Sequence, residues 1–557
     1  MYAATAFIIM EAGEIMLPRL GLPDWTVTFL IILLIAGFPI TIILSWIFDV
    51  SPQGFVKTEL VEEISQQDPG PSPAKRGLKA SDVIIGVLFV IVCIFLYPKI
   101  FKDDKFEAVL DEEGRLAIAV LPFKNISPDS SNQYILDGIM EAVLDYLIKV
   151  ENVRVIASTS VEQYRKTTKP ISVIGEELNV NYILEGSGQK YAENFRLTTK
   201  LSEVKSNTLV WSNPYDREIK EILDVQIEIA QKIVGELQLE LTSDDRDVLK
   251  TRPTFSDKAY QNYLIAEKFW EIGIPRAIEL LEEAIEIDPQ FVEAYITLSM
   301  VHMARATMYG DSTSWEEVKE LARLPLTKAL EIDPGHPGAI NTMGNYRYWI
   351  EWDFKGAEKE FLKATELNGL YQLNYVNLLI QNRRFVQALE VSLKLKDQDP
   401  INSQYGMMLS YLFLGEYQKA MEQALGNEGW SGRIYMAMQD YNQAILRFES
   451  LVRHWRTPFF MSDLAICYDR VGNRDLANEI LNELIEGYNQ GEGGSIAFMV
   501  GKIYSELGEI ESALEWLERS YLNHELEMVW LYAEPAFEIL QDNEQFIDLL
   551  KRVGFDV

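Results

Sequence analysis

Cysteine and histidine are scarce in this sequence. Its 557 residues hold two cysteines, Cys93 and Cys467, and four histidines, His302, His336, His454 and His524, none with a partner at ligand spacing. That pattern excludes a disulfide framework and a clustered metal site. No phosphate-cradling glycine loop, metalloprotease helix or nucleophile elbow is present either. The expectation is therefore a protein with no cofactor, no metal and no catalytic constellation, not an enzyme. Positive charge is also short, with 51 Lys+Arg against 84 Asp+Glu and a formal net charge of −33. Such a field repels a phosphate backbone, so no nucleic-acid partner is expected. Apolar residues are not lacking: at 48% they supply real cores for several domains.

The apolar residues are concentrated first near the N-terminus. Thr26 to Phe48 carries no charge and is long enough to cross a hydrocarbon layer of about 30 Å. Val83 to Tyr97 is shorter, also uncharged, and flanked by Lys79 and Lys99, which suits a second spanning helix. Tyr2 to Leu17 is interrupted by Glu11 and Glu14 and reads either as a third span or as an amphipathic helix at the surface. Residues 1–48 are thus expected to form a membrane anchor of one or two helices, 49–82 a flexible linker rich in proline around Asp68-Pro69-Gly70-Pro71, and 83–97 a transmembrane helix. Three spans place everything after Tyr97 outside the cytoplasm, whereas two keep it inside. Lysine and arginine on the two sides of the last span nearly balance and do not decide between these. Met1 opens directly into the apolar stretch without a basic leader, so the start is unusual or upstream residues are missing.

From Arg115 the pattern changes to short apolar runs, Leu116–Phe123, Val153–Ala157, Tyr182–Tyr191, Phe195–Val204 and Thr208–Trp211, separated by helical stretches. Ala192-Glu193-Asn194 is a hairpin loop by position. Residues 109–243 are read as an α/β domain with a mixed sheet. Asp137, Asp216 and Arg217 are its candidate ligand-binding groups, polar residues near strand and helix ends. The plainer account of them is a capped turn and an Asp/Arg pair closing the last strand.

The strings Ala117-Ile118-Ala119-Val120-Leu121-Pro122-Phe123, Asp137-Gly138-Ile139, Val153-Arg154-Val155-Ile156-Ala157-Ser158, Tyr182-Ile183-Leu184-Glu185-Gly186-Ser187 and Leu209-Val210-Trp211 follow one another in order. With Tyr215-Asp216-Arg217 they resemble the TolB amino-terminal-like domain found beside tetratricopeptide repeats in bacterial membrane proteins. The segment Trp46-Ile47-Phe48-Asp49-Val50-Ser51-Pro52-Gln53-Gly54 looks like the anchor that accompanies it. The resemblance implies an inner-membrane protein with its soluble part in the periplasm. Relatives often carry a DNA-binding winged helix or a nucleotide cyclase domain ahead of the anchor. Neither is seen here, which puts direct transcriptional or cyclase activity in doubt.

The second half is a helical solenoid by its small residues. Gly501, Tyr504, Gly508, Ala513, Leu517 and Ser520 recur at the offsets of Ala465, Tyr468, Gly472, Ala477, Leu481 and Leu484. Ala277, Leu281, Ala284, Pro289 and Ala322, Leu326, Ala329, Pro334 repeat the second half of the pattern. About eight helical hairpins are expected between 256 and 521, none able to bury its apolar face alone. The spacings resemble those of tetratricopeptide repeats. Asp288-Pro289, Asp333-Pro334 and Asp399-Pro400 are expected to end helices. Residues 522–557 depart from the pattern and are expected to cap the last hairpin.

In arrays of this kind the first helices line a groove that takes peptides or partner helices. The spacing places Asn341, Asn345, Tyr348 and Trp349 on the groove side of the third repeat, and Asn377 and Gln381 on that of the fourth. Amides suit a peptide backbone and aromatic rings supply apolar contact; the plainer account packs Tyr348 and Trp349 between hairpins and leaves the amides solvated. The functional expectation is a membrane-anchored scaffold for other proteins, with the lipid bilayer as its second partner. The alternative is a signalling component whose α/β domain senses a small ligand or an envelope partner.

Overall fold

The computed structural model describes residues 48–51, 54–57 and, from 110 onward, all but 112–113, 128, 130–131, 151, 193, 238, 240–241, 243–250, 309–314 and 425. The expected membrane spans and most of the linker lie outside the described residues. Among the described residues no helix is long and apolar enough to cross a membrane. Strands β1 (Phe48–Ser51) and β2 (Gly54–Lys57) pair antiparallel, with Phe48 opposite Lys57 and Ser51 opposite Gly54. Residues 49–51 and 54–57 of the expected flexible linker therefore lie in paired strands.

The α/β domain is a mixed sheet in the order β5-β3-β6-β7-β8, with β3 Leu116–Val120, β5 Val153–Val155, β6 Tyr182–Tyr191, β7 Asn194–Glu203 and β8 Thr208–Glu218. A short β4 (Lys124–Asn125) pairs with β6. Strands β3, β5 and β6 are parallel, and β6, β7 and β8 antiparallel. Helices α1 (Gln133–Ile148) and α4 (Ile222–Glu236) cover one face, where Ile139, Val143, Ile229 and Ile233 meet Leu184, Phe195, Leu197 and Leu201. On the other face α3 (Ile171–Leu178) lays Ile174 and Leu178 on Ala117, Ala119 and Ile183. Every residue of β3 is buried because both faces are covered, which accounts for its unbroken apolar run.

Two details differ from the sequence reading. Asn194 belongs to β7 rather than to the loop, since the ladder runs to Tyr191 opposite Asn194 and the reversal starts at Ala192, with φ +53°. Strand β8 runs on to Glu218, because from Trp211 onward β7 offers it a partner at each step as far as Asn194, so Tyr215, Asp216 and Arg217 lie inside a strand. Pro214 is tolerated there because β8 is an edge strand.

Eight helical hairpins follow among the described residues, from Asp257–Ala266 with Ile274–Ile287 to Ile496–Glu506 with Ile510–Leu522. The small-residue signature has a direct cause. A Cβ on Gly344 would lie 2.5 Å from the Phe361 ring, and one on Gly501 would lie 3.1 Å from Leu517. The paired helices cross at these points with no room for a side chain. Asp399-Pro400 starts a helix as well as ending one. Asp399 is the N-cap whose carboxylate accepts from the Asn402 amide, and Pro400 takes the first turn, where its missing N–H costs nothing.

Candidate functional site

The chain's own C-terminus packs on the first helices of several hairpins, meeting Phe413, Arg433 and Ser505. After Leu522 come the short turns Leu526–Trp530 and Pro535–Leu540 and the helix Glu544–Val553. Met528, Val529, Leu531, Phe537, Leu540, Phe546 and Phe555 join one buried cluster with Phe498 and Met499 of repeat eight and with Tyr348, Trp352, Phe354 and Phe361 of repeat three. The segment thus caps the last hairpin and also reaches back to the third. Trp352 stacks on His524 with ring centroids 3.6 Å apart, and Phe354 meets Phe555 at 4.6 Å. Burial pushes the His524 imidazole down to about 3, so the stack is between two neutral rings. Seven large apolar side chains are buried here, each worth about 1.5–3 kcal/mol before the entropy of ordering the segment is subtracted.

The return of the C-terminus decides where the groove candidates sit. Tyr348 is buried against Phe354 and Phe361, on a six-residue π-helical turn, Tyr346–Glu351, that ends repeat three's first helix. Trp349 packs beside it, edge-on at 4.7 Å. Asn341 is buried and accepts from Asn374 Nδ2, 3.2 Å away. Gln381 is 1% exposed, and its Oε1 has no hydrogen-bond partner. Asn345 and Asn377 are half-buried. Both aromatics therefore pack inside the protein, and of the six residues only Trp349, Asn345 and Asn377 keep part of their surface.

Further along, a cleft of about 550 Å³ remains between the first helices of repeats five to eight, the turn of repeat four at Arg383 and Phe385, and residues 533–538. Phe385, Phe413, Tyr417 and Tyr441 form its apolar side. Phe385 stacks on Phe413 at 5.2 Å, and Phe413 on Trp530 at 6.2 Å. Its floor is a buried charge network that spacing could not reveal. Arg433 reaches Glu534 at 2.6 Å and Asp463 at 3.2 Å, while Lys502 pairs with Asp463 and lies 3.6 Å from Glu534. Burial alone would raise the Glu534 carboxyl, but Arg433 and Lys502 outweigh it and hold it at about 2. At the rim Arg383 pairs with Glu538 at 2.8 Å and Arg470 with Glu506.

The α/β domain meets the hairpins at two places. Through α1 and α4 it shares one continuous core with repeat one, including Tyr260, Leu264 and Ala277. Asp137 and Gly138 lie at this junction. The Asp137 carboxylate accepts from Gln133 at 2.8 Å, Arg165 at 2.8 Å and Lys268 at 2.9 Å. A Cβ on Gly138 would lie 2.5 Å from Leu264, and the buried Gln226 amide bridges the Gly138 carbonyl to the Tyr260 hydroxyl. The second contact is at the start of repeat five. Thr159 and Ser160 of α2 (Ser158–Val161) donate to Asp399 at 2.9 and 2.7 Å, and the Ala157 amide donates to the Gln398 carbonyl. Buried Arg154 donates to the carbonyls of Asp397 and Asn179 and pairs with Asp111 at 3.2 Å. Asp216 and Arg217 stand apart from both contacts. Asp216 takes Arg196 at 2.6 Å and the Tyr191 hydroxyl on the exposed sheet, and Arg217 lies 3.6 Å from Glu228. The three ligand candidates share no partner. Asp137 is spent on the junction.

Residues 114–232 match a family model described as the HilA/YgeH-like transcriptional regulator, second domain, over the α/β domain likened above to TolB. Residues 495–521 match the tetratricopeptide repeat model, on the eighth hairpin. Over 238 residues the chain is 28% identical to a protein of Rhizobium meliloti (strain 1021) named putative adenylate cyclase 3, a match spanning 42% of this chain and 40% of that one. The expectation that the chain is not an enzyme is corrected by this relative's name. Among solved structures, lipoprotein GNA1162 from Neisseria meningitidis is matched at 15% identity and a TM-score of 0.17, over 23% of this chain and 99% of that one. PilF of Pseudomonas aeruginosa is matched at 15% identity and a TM-score of 0.19, over 53% and 98%. The chain carries tetratricopeptide repeats in its helical half and a mixed-sheet domain ahead of them.

Proposed function

We propose that this chain is a membrane-tethered scaffold that holds other proteins in the cleft between repeats four to eight and its own residues 533–538. The cleft carries the reading. It combines an aromatic wall, Phe385 and Phe413, with a charge-paired floor, Arg433, Asp463, Lys502 and Glu534, so an extended peptide can add apolar contact without leaving a buried ion unpaired. Asn345 and Asn377 are proposed as flanking contacts. The tether rests on the apolar stretches 26–48 and 83–97, with the soluble part in the periplasm of a bacterial inner membrane. A photo-crosslinking residue at Phe413, compared with one at exposed Leu446, tests the cleft: capture of a discrete partner from Phe413 alone supports it, and equal capture at both positions refutes it. Reporter fusions at Lys250 test the side of the membrane.

A second reading is favoured by the two contacts between the α/β domain and the repeats. Because repeats one and five both hold that domain, a change in it alters their separation, which suits a regulatory module. The relatives' names, a cyclase and a transcriptional regulator, are those of signalling proteins and support this reading. Cyclic AMP formation from ATP and Mg²⁺ by the full chain is the first activity to assay.

A further inference from the structure

We infer that the α/β domain has a binding site for a small organic anion, in the cleft beside the carboxyl end of β3, on the α3 face of β6 and β7. This assigns a place and a ligand class to the regulatory reading above, on which it rests.

Topology locates the crevice. From β3 the chain crosses through α1 on one face of the sheet to β5, and from β5 it returns through α2 and α3 on the opposite face to β6, on the other side of β3. Strand β3 ends at Val120, opposite Leu184, while β6 runs on to Tyr191, so the middle of β6 extends past the carboxyl end of β3. A cleft of about 190 Å³ lies there, lined by Leu121 and Pro122 just after β3 and by Glu185, Gly186 and Ser187 of β6. It is too small for a drug-sized molecule and suits a compact metabolite.

The lining sets the ligand's charge. Three lysines, Lys124, Lys169 and Lys200, converge on the cleft in a chain whose formal net charge is −33. Lys169 is held at 2.7 Å by Glu177. Among the described residues neither Lys124 nor Lys200 has a carboxylate within ion-pair distance. Cross-strand pairing sets Ser187 beside Thr198 and Glu185 beside Lys200, so hydroxyl donors and one carboxylate share the sheet face with the ammonium groups. The amino end of α3 borders the cleft through Lys169 and Ile174, and its N-cap, Pro170, has no side chain able to satisfy the first free N–H groups. Leu121, Tyr164 and Ile174 give an apolar floor. Lysines act as point charges for phosphate or carboxylate, and Glu185 is placed to accept from a hydroxyl of the same molecule.

The test titrates the full chain in detergent micelles with glycerol 3-phosphate, with succinate and with inorganic phosphate, following binding by calorimetry. Saturable binding of one of the organic anions is expected, and glycerol 3-phosphate against succinate tells a phosphate ligand from a carboxylate one. The double variant Lys124→Gln/Lys200→Gln should bind about tenfold more weakly or worse, while Lys205→Gln, on the exposed turn after β7, binds as wild type. Circular dichroism of each variant confirms the fold. Equal binding by all variants overturns the site and leaves a small-ligand sensor standing elsewhere. Absence of saturable binding by wild type, or binding of inorganic phosphate alone with no effect of the lysines, overturns the proposal itself.

Discussion

The α/β domain is held by the same row of hairpins twice, in opposite ways. At repeat one the junction is a core: Leu264 and Tyr260 sit among the side chains of α1 and α4, and Gly138 gives Leu264 the space it fills. At repeat five it is a set of hydrogen bonds, from Thr159 and Ser160 to Asp399 and from Arg154 to the Asp397 carbonyl. Apolar burial is non-directional and tolerates small shifts, whereas hydrogen bonds fix a distance and an angle. The first junction therefore holds the domain on, and the second sets its position. Any movement of the domain on the hairpins is expected at the polar end.

The largest effect should come from breaking the apolar junction. Leu264→Ala removes a buried side chain opposite Gly138 and is expected to cost about 2–5 kcal/mol in denaturant unfolding. If the junction is one core, the α/β domain and repeat one should lose stability together in a single transition. Two separated transitions would show that they are independent.

Asp399→Asn probes the polar junction. Asparagine caps a helix as well as aspartate, so the start of repeat five survives and only the charge-assisted bonds to Thr159 and Ser160 weaken, at about 1.5–3 kcal/mol. Hydrogen exchange should speed up at the Ala157 and Ile401 amides, which donate across this contact, and stay unchanged around Tyr260. Faster exchange at both junctions would mean that they open as one.

The C-terminal segment offers a pH test of the same contrast, through two carboxylates in unlike settings. Glu534 is held down at about 2 against an ordinary 4.5, so its contribution is fully present above about pH 4.5 and is lost as pH falls towards 2. Glu527 is opposite: burial pushes it up to about 7, and its Oε2 lacks a partner. Stability tied to Glu527 is present below about pH 4.5 and is lost as pH rises through 7. Glu527→Gln should remove the decline between pH 5 and 7 in thermal unfolding and leave the acid limb unchanged. An unaltered profile would mean that the Glu527 carboxylate is solvated.

What could be read in the sequence divides along the same line of local against distant contact. Gly344 under Phe361 and Gly501 under Leu517 are separated by one turn of chain, so their spacing recurs and the hairpins were legible. Strands β6 and β7 were legible because a hairpin is local, although the length of β8 was not, being set by how far β7 extends beside it. The roles of Asp137 and Gly138 depend on Lys268 and Leu264, in another domain, and no periodicity records such a pairing. Tyr348 is buried because a segment far along the chain returns over repeat three, which no spacing within a repeat records. Lys124, Lys169 and Lys200 come from three separate elements and have no common offset, so only the fold brings them to one cleft.

The smallest effect is expected on the exposed sheet, at a residue the sequence had suggested for ligand binding. Asp216 accepts from Arg196 and Tyr191 on a solvent-facing strand, where water competes for each group and salt screens the pair. Asp216→Ala should leave the melting temperature within error of wild type and leave anion titrations unchanged, in contrast to the buried Asp399 with a similar number of partners. A fall in stability matching that of Asp399→Asn would mean that the exposed face is covered in the native protein, and the edge strand β8 would then be where to look for what covers it.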